Sequence, residues 1–471
     1  MIVGHRCIGR VARCEIASRR VSPLRGSDLF TSLARGVGLT VCFEPELALG
    51  LRRGADGRVI LRARMSTKTS ATIALLLLTG LNFLNYIDRN VLFAVQPLIQ
   101  KEFHLDDAQI GFLTSAFFVC YMVAAPLIAP LADRYSRKWI MAAGAFVWSA
   151  ATLLSAVTHN YDELLLRHVI VGIGEATFVA ISPAFLADLY PENIRGRVMG
   201  FFYLATPVGS ALGYIVGGYL GHRYGWRAPF MICALPGFLL ALGVLGLREP
   251  VRGASDHLVD KFEKATLGER LIGLAKNRAY WTITLGGAMM TFAIGGLQVW
   301  MPTFLIRMRH LSLERASTIF GAMTVVSGIV ATLLGGWLGD RLLRRTSAAY
   351  QLVSAVGMTL AIPAIVVAVY YHGPVMYPAI FLGEFFLLLN TAPLNAALVN
   401  SVSARIRATA LAVNVFTIHA LGDAFSPTLI GTISDHTNLE TGLSSMVVAV
   451  ALSAVILFYG MRFAPKIEAS A

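Results

Sequence analysis

The chain has 471 residues, of which 56% are hydrophobic and only 14% charged, with 40 Lys and Arg against 27 Asp and Glu. A water-soluble protein carries roughly 25% charged residues to cover its surface, so a wholly water-facing fold is excluded. Mean hydropathy of +0.65 and apolar runs of about 20 residues, the length that crosses a bilayer, instead predict an all-α membrane protein.

Residues 1–64 hold twelve Arg, no Lys and five acids, a net +7, together with Cys7, Cys14 and Cys42. Apolar stretches there are broken by Arg or Gly, so neither a signal-peptide core nor a cleavage site is recognisable. Met65 opens a short polar leader, MSTKTS, directly before the first long apolar run. Two readings stay open: an over-extended gene model with translation starting at Met65, or a disordered basic tail held on anionic lipid.

Beyond Met65 the hydropathy predicts spans at 72–98, 108–132, 138–158, 162–189, 195–221 and 226–247, then 280–306, 313–338, 347–371, 375–400, 406–432 and 442–463. Twelve transmembrane helices thus fall into two six-helix bundles, 65–247 and 280–471, separated by the charged linker 248–279. Basic residues cluster after the even-numbered spans, at Arg134, Arg137, Lys138, Arg195, Arg197, the linker, Arg341, Arg344, Arg345, Arg405 and Arg407. Excess Lys and Arg marks the cytoplasmic side, which places both termini in the cytoplasm; Arg307, Arg309 and Arg315 run against that bias. Cys120 and Cys233 lie inside apolar segments at no metal-ligand spacing and read as small buried hydrophobes.

The halves repeat. Asp133-Arg134-Tyr135-Ser136-Arg137-Lys138 follows the second span and Asp340-Arg341-Leu342-Leu343-Arg344-Arg345 the eighth, offset by 207 residues; Ile194-Arg195 and Ile406-Arg407 are offset by 212. Duplicated bundles with matched charged loops point to a transporter built from parallel repeats.

These loops resemble the signature G-x-x-x-D-R-x-G-R-[K/R] of the major facilitator superfamily. The second copy keeps Gly336 at the leading position, whereas Ala129 and Ser136 replace the usual glycines in the first. The resemblance implies gating roles for Asp133, Arg134 and Arg137, and by repetition for Asp340, Arg341 and Arg344; simple topogenic charge is the alternative. Asn85-Tyr86-Ile87-Asp88-Arg89, Gly172-Ile173-Gly174-Glu175-Ala176, Pro207-Val208-Gly209-Ser210 and Gly422-Asp423-Ala424-Phe425-Ser426-Pro427 are similar to the spinster branch of that superfamily, over roughly residues 72–463. That likeness implies lysolipid or sphingoid-phosphate substrates and proton coupling.

Independently of any family, an ionisable residue near mid-bilayer costs at least about 2.5–3.5 kcal/mol and therefore faces a polar cavity or a partner. Asp88, Arg89, Glu175 and Glu384 all fall ten to thirteen residues from the outer ends of their spans, which predicts one cavity level. Asp88 and Arg89 are adjacent and point about 100° apart, so they cannot pair cleanly with each other. Arg89 is then free to grip an anionic head group or Glu175, with a permanent Asp–Arg–Glu brace as the alternative. A carboxyl in a low-dielectric site is easier to protonate than one in water, so Glu175, with Asp88, is the candidate proton carrier. His168 stands where the superfamily often has Arg and lies seven residues before Glu175 on the same face, which suggests a His–Glu relay or a merely solvated His. Asn85, Tyr86, Glu384, Asn390, His419 and Asp423 complete the candidate substrate-binding set around Arg89. Gly172 and Gly174 imitate a dinucleotide fingerprint without its third glycine or strand. Gly209, Gly213 and Gly217 recur at the spacing of close helix packing.

The resulting expectation is a proton-coupled secondary transporter of an amphipathic anion, without cofactor, metal site or enzymatic activity, working by alternating access in the inner cell membrane. Its partners are then lipid-like substrate, protons and membrane lipid, with no nucleic acid. A drug/proton antiporter or organic-acid symporter is the runner-up, and a membrane sensor is less favoured because the longest loop within the membrane region has only about 32 residues.

Overall fold

The computed structural model describes residues 48–53, 59–64, 67–250, 267–402 and 406–465. Within the 1–64 extension, β1 (Ala48–Arg53) and β2 (Val59–Arg64) pair antiparallel, with Ala48 opposite Arg64. The remainder of that extension, and Arg405, lie outside the described residues.

The membrane region is helical throughout. The first half comprises α1 (Thr67–Phe103), α2 (Asp107–Arg134), α3 (Arg137–Ser155), α4 (Tyr161–Leu189), α5 (Glu192–Tyr203), α6 (Ala205–Tyr224) and α7 (Arg227–Leu245). A short helix α8 (Leu267–Ala275) ends the linker. The second half follows as α9 (Arg278–Arg307), α10 (Leu313–Leu343), α11 (Ala349–Tyr370), α12 (Met376–Leu388), α13 (Thr391–Asn400), α14 (Arg407–Leu421), α15 (Ser426–His436) and α16 (Leu439–Gly460). Helix starts at the membrane surface carry side-chain caps for their orphan amides: Asp106, Asn160, Asn277, Ser312 and Asn438 each accept from a backbone N–H three residues on.

Among the described residues, 11 helices are long and apolar enough to cross a membrane. The eleventh predicted span, 406–432, is divided into α14 and α15, of 15 and 11 residues, each shorter than the roughly 20 a crossing requires. The division has a local cause. A proline cannot donate to the carbonyl four residues earlier, and Pro427 stands four after Asp423, within the Gly422–Phe425 break. The same offset recurs at the other two interruptions, Pro207 after Tyr203 (α5/α6) and Pro393 after Leu389 (α12/α13). Proline permits these breaks without forcing them, since Pro97, Pro183, Pro236, Pro302 and Pro363 sit inside continuous helices.

Packing repeats as the sequence does. In the first half α1 packs on α6 and α7, α4 on α2 and α3, and α3 on α7; in the second, α9 packs on α14, α15 and α16, α12 on α10 and α11, and α11 on α16. Each pairing is displaced by six spans. The halves meet through the equivalent pairs α6–α10 and α2–α15. Aromatic side chains fill the bundle interiors, Trp148, Phe178, Phe185 and Phe202 in one half and Trp300, Phe304 and Tyr280 in the other, while Leu127, Leu239, Leu333 and Val455 are exposed on the outer surface.

The glycine stripe on α6 sets how closely α1 approaches. A Cβ on Gly209 would meet the Phe83 carbonyl and Tyr86, one on Gly213 would meet Asn90 and the Ile87 carbonyl, and one on Gly217 would meet Ala94. Asn90 then reaches Ser210 at 3.1 Å across the seam. Replacing Gly213 by Leu forces the helices apart at about 1–3 kcal/mol; a lower thermal midpoint in detergent, with Gly196→Leu as the open-surface control, checks this.

Candidate functional site

The stripe of α6 fixes one side of α1; the other side of the same turn carries the charge. Arg89 extends from α1 to α4, where its Nε donates to Glu175 Oε2 at 2.7 Å. The Glu175 side chain is fully buried and that of Arg89 is 11% exposed. Two glycines bring Glu175 there. A Cβ on Gly172 would strike the Phe117 carbonyl of α2, and one on Gly174 would strike Trp148 of α3, so α4 lies tight against both neighbours.

Aromatic rings enclose the guanidinium. Its carbon lies 4.8 Å from the Tyr121 ring centroid, 4.9 Å from Phe117, 5.4 Å from Tyr86 and 6.0 Å from Phe118. Ring faces attract a cation most strongly where water is excluded. The pair is monodentate: Arg89 Nη2 and Glu175 Oε1 are buried without hydrogen-bond partners. Donor capacity for an anionic oxygen therefore remains beside the ion pair. Asn85, fully buried, lies beside the Glu175 carboxyl without reaching hydrogen-bonding geometry.

The other sequence candidates divide around this centre. Asp88 is buried near Cys233 of α7 and Glu175, and its Oδ1 has no hydrogen-bond partner. His168 is buried with its ring 5.1 Å from Phe117; it shares the Glu175 face and forms no hydrogen bond to it. His419 Nδ1 lies 2.9 Å from Asp423 Oδ1, and the His419 ring stacks on Phe118 at 6.1 Å and meets Tyr121 edge-on at 5.8 Å. The second half thereby touches the cage around Arg89. Glu384 and Asn390 do not join it. Glu384 is buried near Thr324, Ser327 and Tyr214, and Asn390 donates to the Phe386 and Leu387 carbonyls at the α12/α13 break. The α2 aromatics were not among the predicted residues; Phe117 and Tyr121 sit four apart in the sequence, but apolar spacing alone reads as ordinary core.

The predicted gating residues form a separate site at the α2–α3 turn. Arg137 Nη1 holds Asp188 of α4 at 2.6 Å and its backbone N–H donates to Glu249 Oε1 at 2.8 Å, with Ser136 also donating to Glu249. In the second half Tyr350 donates to Asp340 at 2.7 Å, Arg341 lies over Trp337, and Arg344 is exposed. Arg134 is exposed, while the side chain of Asp133 lies outside the described residues.

A family model for the Major Facilitator Superfamily matches residues 78–427. Spinster homolog 3 of Danio rerio is 38% identical over 381 residues, covering 77% of this chain and 76% of the relative. The chain belongs to the spinster branch of the major facilitator superfamily. A second spinster relative, the sphingosine-1-phosphate transporter SPNS2 of Danio rerio, is 38% identical over 377 residues, covering 75% of this chain and 74% of its own. Among solved structures, a bacterial homologue of the human lysosomal transporter spinster, crystallised inward-facing and unoccupied, superposes with a TM-score of 0.77 at 26% identity, over 84% of this chain and 98% of that one. This spinster-branch chain is therefore a multi-pass transporter and not an enzyme.

Burial raises the Glu249 carboxyl, but hydrogen bonds from Ser136 and Arg137 and the Arg137 charge outweigh it, so its pKa lies below the ordinary 4.5. A depressed carboxylate contributes stability above its unfolded pKa and loses it as pH falls through the folded one. The thermal midpoint of the natural protein should thus fall as pH drops below about 4.5 more steeply than that of Glu249→Gln, in a melting series across acidic pH.

Proposed function

We propose that the chain carries an amphipathic anion, a lysolipid or sphingoid phosphate, by proton-coupled exchange at the Arg89–Glu175 pair. The observation that carries this reading is a buried guanidinium, caged by four rings, whose single strong partner is a carboxyl that can be protonated. Guanidinium binds phosphate oxygens through a planar fork, and the neighbouring rings provide apolar surface for the chain attached to the head group. Protonation of Glu175 removes the competing charge and frees Arg89 for substrate; departure of the substrate restores the pair. Asp88, an unpartnered acid on the adjacent face, is a second proton site, and His168 adjusts the first through the Phe117 ring and the charge of Arg89. His419, paired with Asp423, shapes the second-half wall beside Phe118 and Tyr121. The named substrate of the SPNS2 relative has the same amphipathic-anion chemistry. The Arg137 clasp holds the α2–α3 turn at the cytoplasmic end, in the orientation the basic loops favour.

In proteoliposomes loaded with lysolipids, sphingoid phosphates or small organic acids, an imposed pH gradient should accelerate flux of the phosphate amphiphiles. Glu175→Gln should remove the gradient dependence. Arg89→Lys, which keeps charge but loses the fork, should lower flux by about tenfold or more. Gradient-dependent flux undiminished in Glu175→Gln contradicts the carrier role, and preference for small organic acids favours the symporter alternative.

A further inference from the structure

Arg307 runs against the charge bias of the loops, and the structure gives it a partner in the other half. At the end of the bundle where α1 stops and α2 begins, Arg307 of α9 grips Asp107 of α2 as a fork: Nη2 to Oδ1 at 2.8 Å and Nη1 to Oδ2 at 2.9 Å. Gln100 donates to Asp107 Oδ1 at 2.7 Å, Ser434 of α15 donates to Oδ2 at 2.6 Å, and Arg307 also donates to Gln100 Oε1. Asp435 does something rarer. Its two carboxylate oxygens accept the backbone N–H groups of Asp107 and Ala108, each at 2.8 Å. Those amides open α2 and have no partner within their own helix, so the second half supplies an anionic cap to a helix of the first. Asp106 serves only the next positions, through Gln109.

We infer that Asp107, Arg307 and Asp435 form a gate at this end of the transport path, closed in the present conformation and broken each time the halves rock apart. The placement supports it. Thr428 donates to Ser115 at 2.7 Å about two turns deeper along the same α2–α15 seam. Glycines remove any spacer between the helices there, since a Cβ on Gly111 would enter the Pro427 carbonyl and one on Gly431 would enter the Asp107 carbonyl. The seam ends at the Phe118–His419 stack beside Arg89. A path from this side to the ion pair must therefore part the whole seam. Each bond in the cluster is charge-assisted and joins groups whose replacement partner, once opened, is water. Such a contact is strong enough to hold one state and weak enough to exchange. This inference rests on the transporter fold and not on the identity of the substrate.

The test reads accessibility without substrate or gradient. In a chain whose native cysteines are replaced, Ser115→Cys reports the seam and Ser149→Cys, fully buried within the first half, reports general loosening. Reaction with a membrane-impermeant maleimide should be slow at position 115 while the gate is intact. Asp435→Ala or Arg307→Gln should raise it about tenfold, and Asp435→Asn, which keeps one acceptor and the side-chain shape, about threefold. Position 149 should not change. Unchanged labelling at 115 in any folded variant, or an equal rise at both reporters, overturns the gate. If the alanine variant does not fold, Asp435→Asn decides alone. Failure of the lipid-phosphate reading leaves this result untouched.

Discussion

A guanidinium buried within a membrane-spanning helix is the constraint around which the rest of this molecule is arranged. Arg89 cannot shed its charge under any ordinary condition, and removing the partner of a buried charge costs about 3–5 kcal/mol. The protein meets that demand with one carboxylate and four rings. The glycines of α4 and α6 serve the same packing: without a Cβ at Gly172, α4 closes on Phe117 of α2, and without one at Gly209, α6 closes on Tyr86 of α1. The Arg89–Glu175 contact uses one donor and one acceptor and leaves Arg89 Nη2 and Glu175 Oε1 without hydrogen-bond partners; in the proposed function that spare capacity is what substrate takes up.

The two halves share a packing scheme and differ in chemistry. Every helix pairing of the first half has its counterpart in the second, yet the turn after α2 is clasped by an arginine between two carboxylates, while the turn after α10 is held by a phenol on Asp340. The central acids differ likewise. Glu175 faces a cation, whereas Glu384 faces hydroxyls. In the proposed function the duplicated scaffold supplies the rocking geometry, and divergence of single side chains gives the substrate and proton chemistry to the first half. The second half contributes through the His419 ring, stacked on the same aromatics that hold Arg89, and this gives movement at the seam a short physical route to the charged pair.

Much of this was readable from residue order. Apolar runs and the repeated D-R-x-x-R-[K/R] loops suffice for twelve spans in two halves, because span length is dictated by bilayer thickness. The rule that adjacent residues diverge on a helix separated Arg89 from Asp88 and left an anionic head group or Glu175 as its partner; the structure pairs it with Glu175. Depth along a span was a poorer guide than the neighbours a helix packs on: Glu384 stands on a helix packed against α10 and α11, near Thr324, Ser327 and Tyr214 and not in the Arg89 cage. The Phe117–Phe118–Tyr121 wall was not legible, since a ring against a cation and a ring against leucine are written with the same letter. Nor was the Asp435 cap, a contact between residues 328 apart in sequence that only the meeting of the halves creates. The break in the eleventh span was hidden because hydropathy averages over Gly422 and Pro427.

The central claim is that substrate and Glu175 compete for one guanidinium, and a binding measurement in detergent addresses it without any transport step. A long-chain sphingoid phosphate should bind Glu175→Gln at least as tightly at neutral pH as it binds the natural protein at acidic pH, with the dependence on pH gone. Its non-phosphorylated counterpart should show no such gain. Weaker binding of the phosphate to Glu175→Gln than to the natural protein across that pH range would contradict the account, because it would make the carboxyl part of the substrate site and not its competitor.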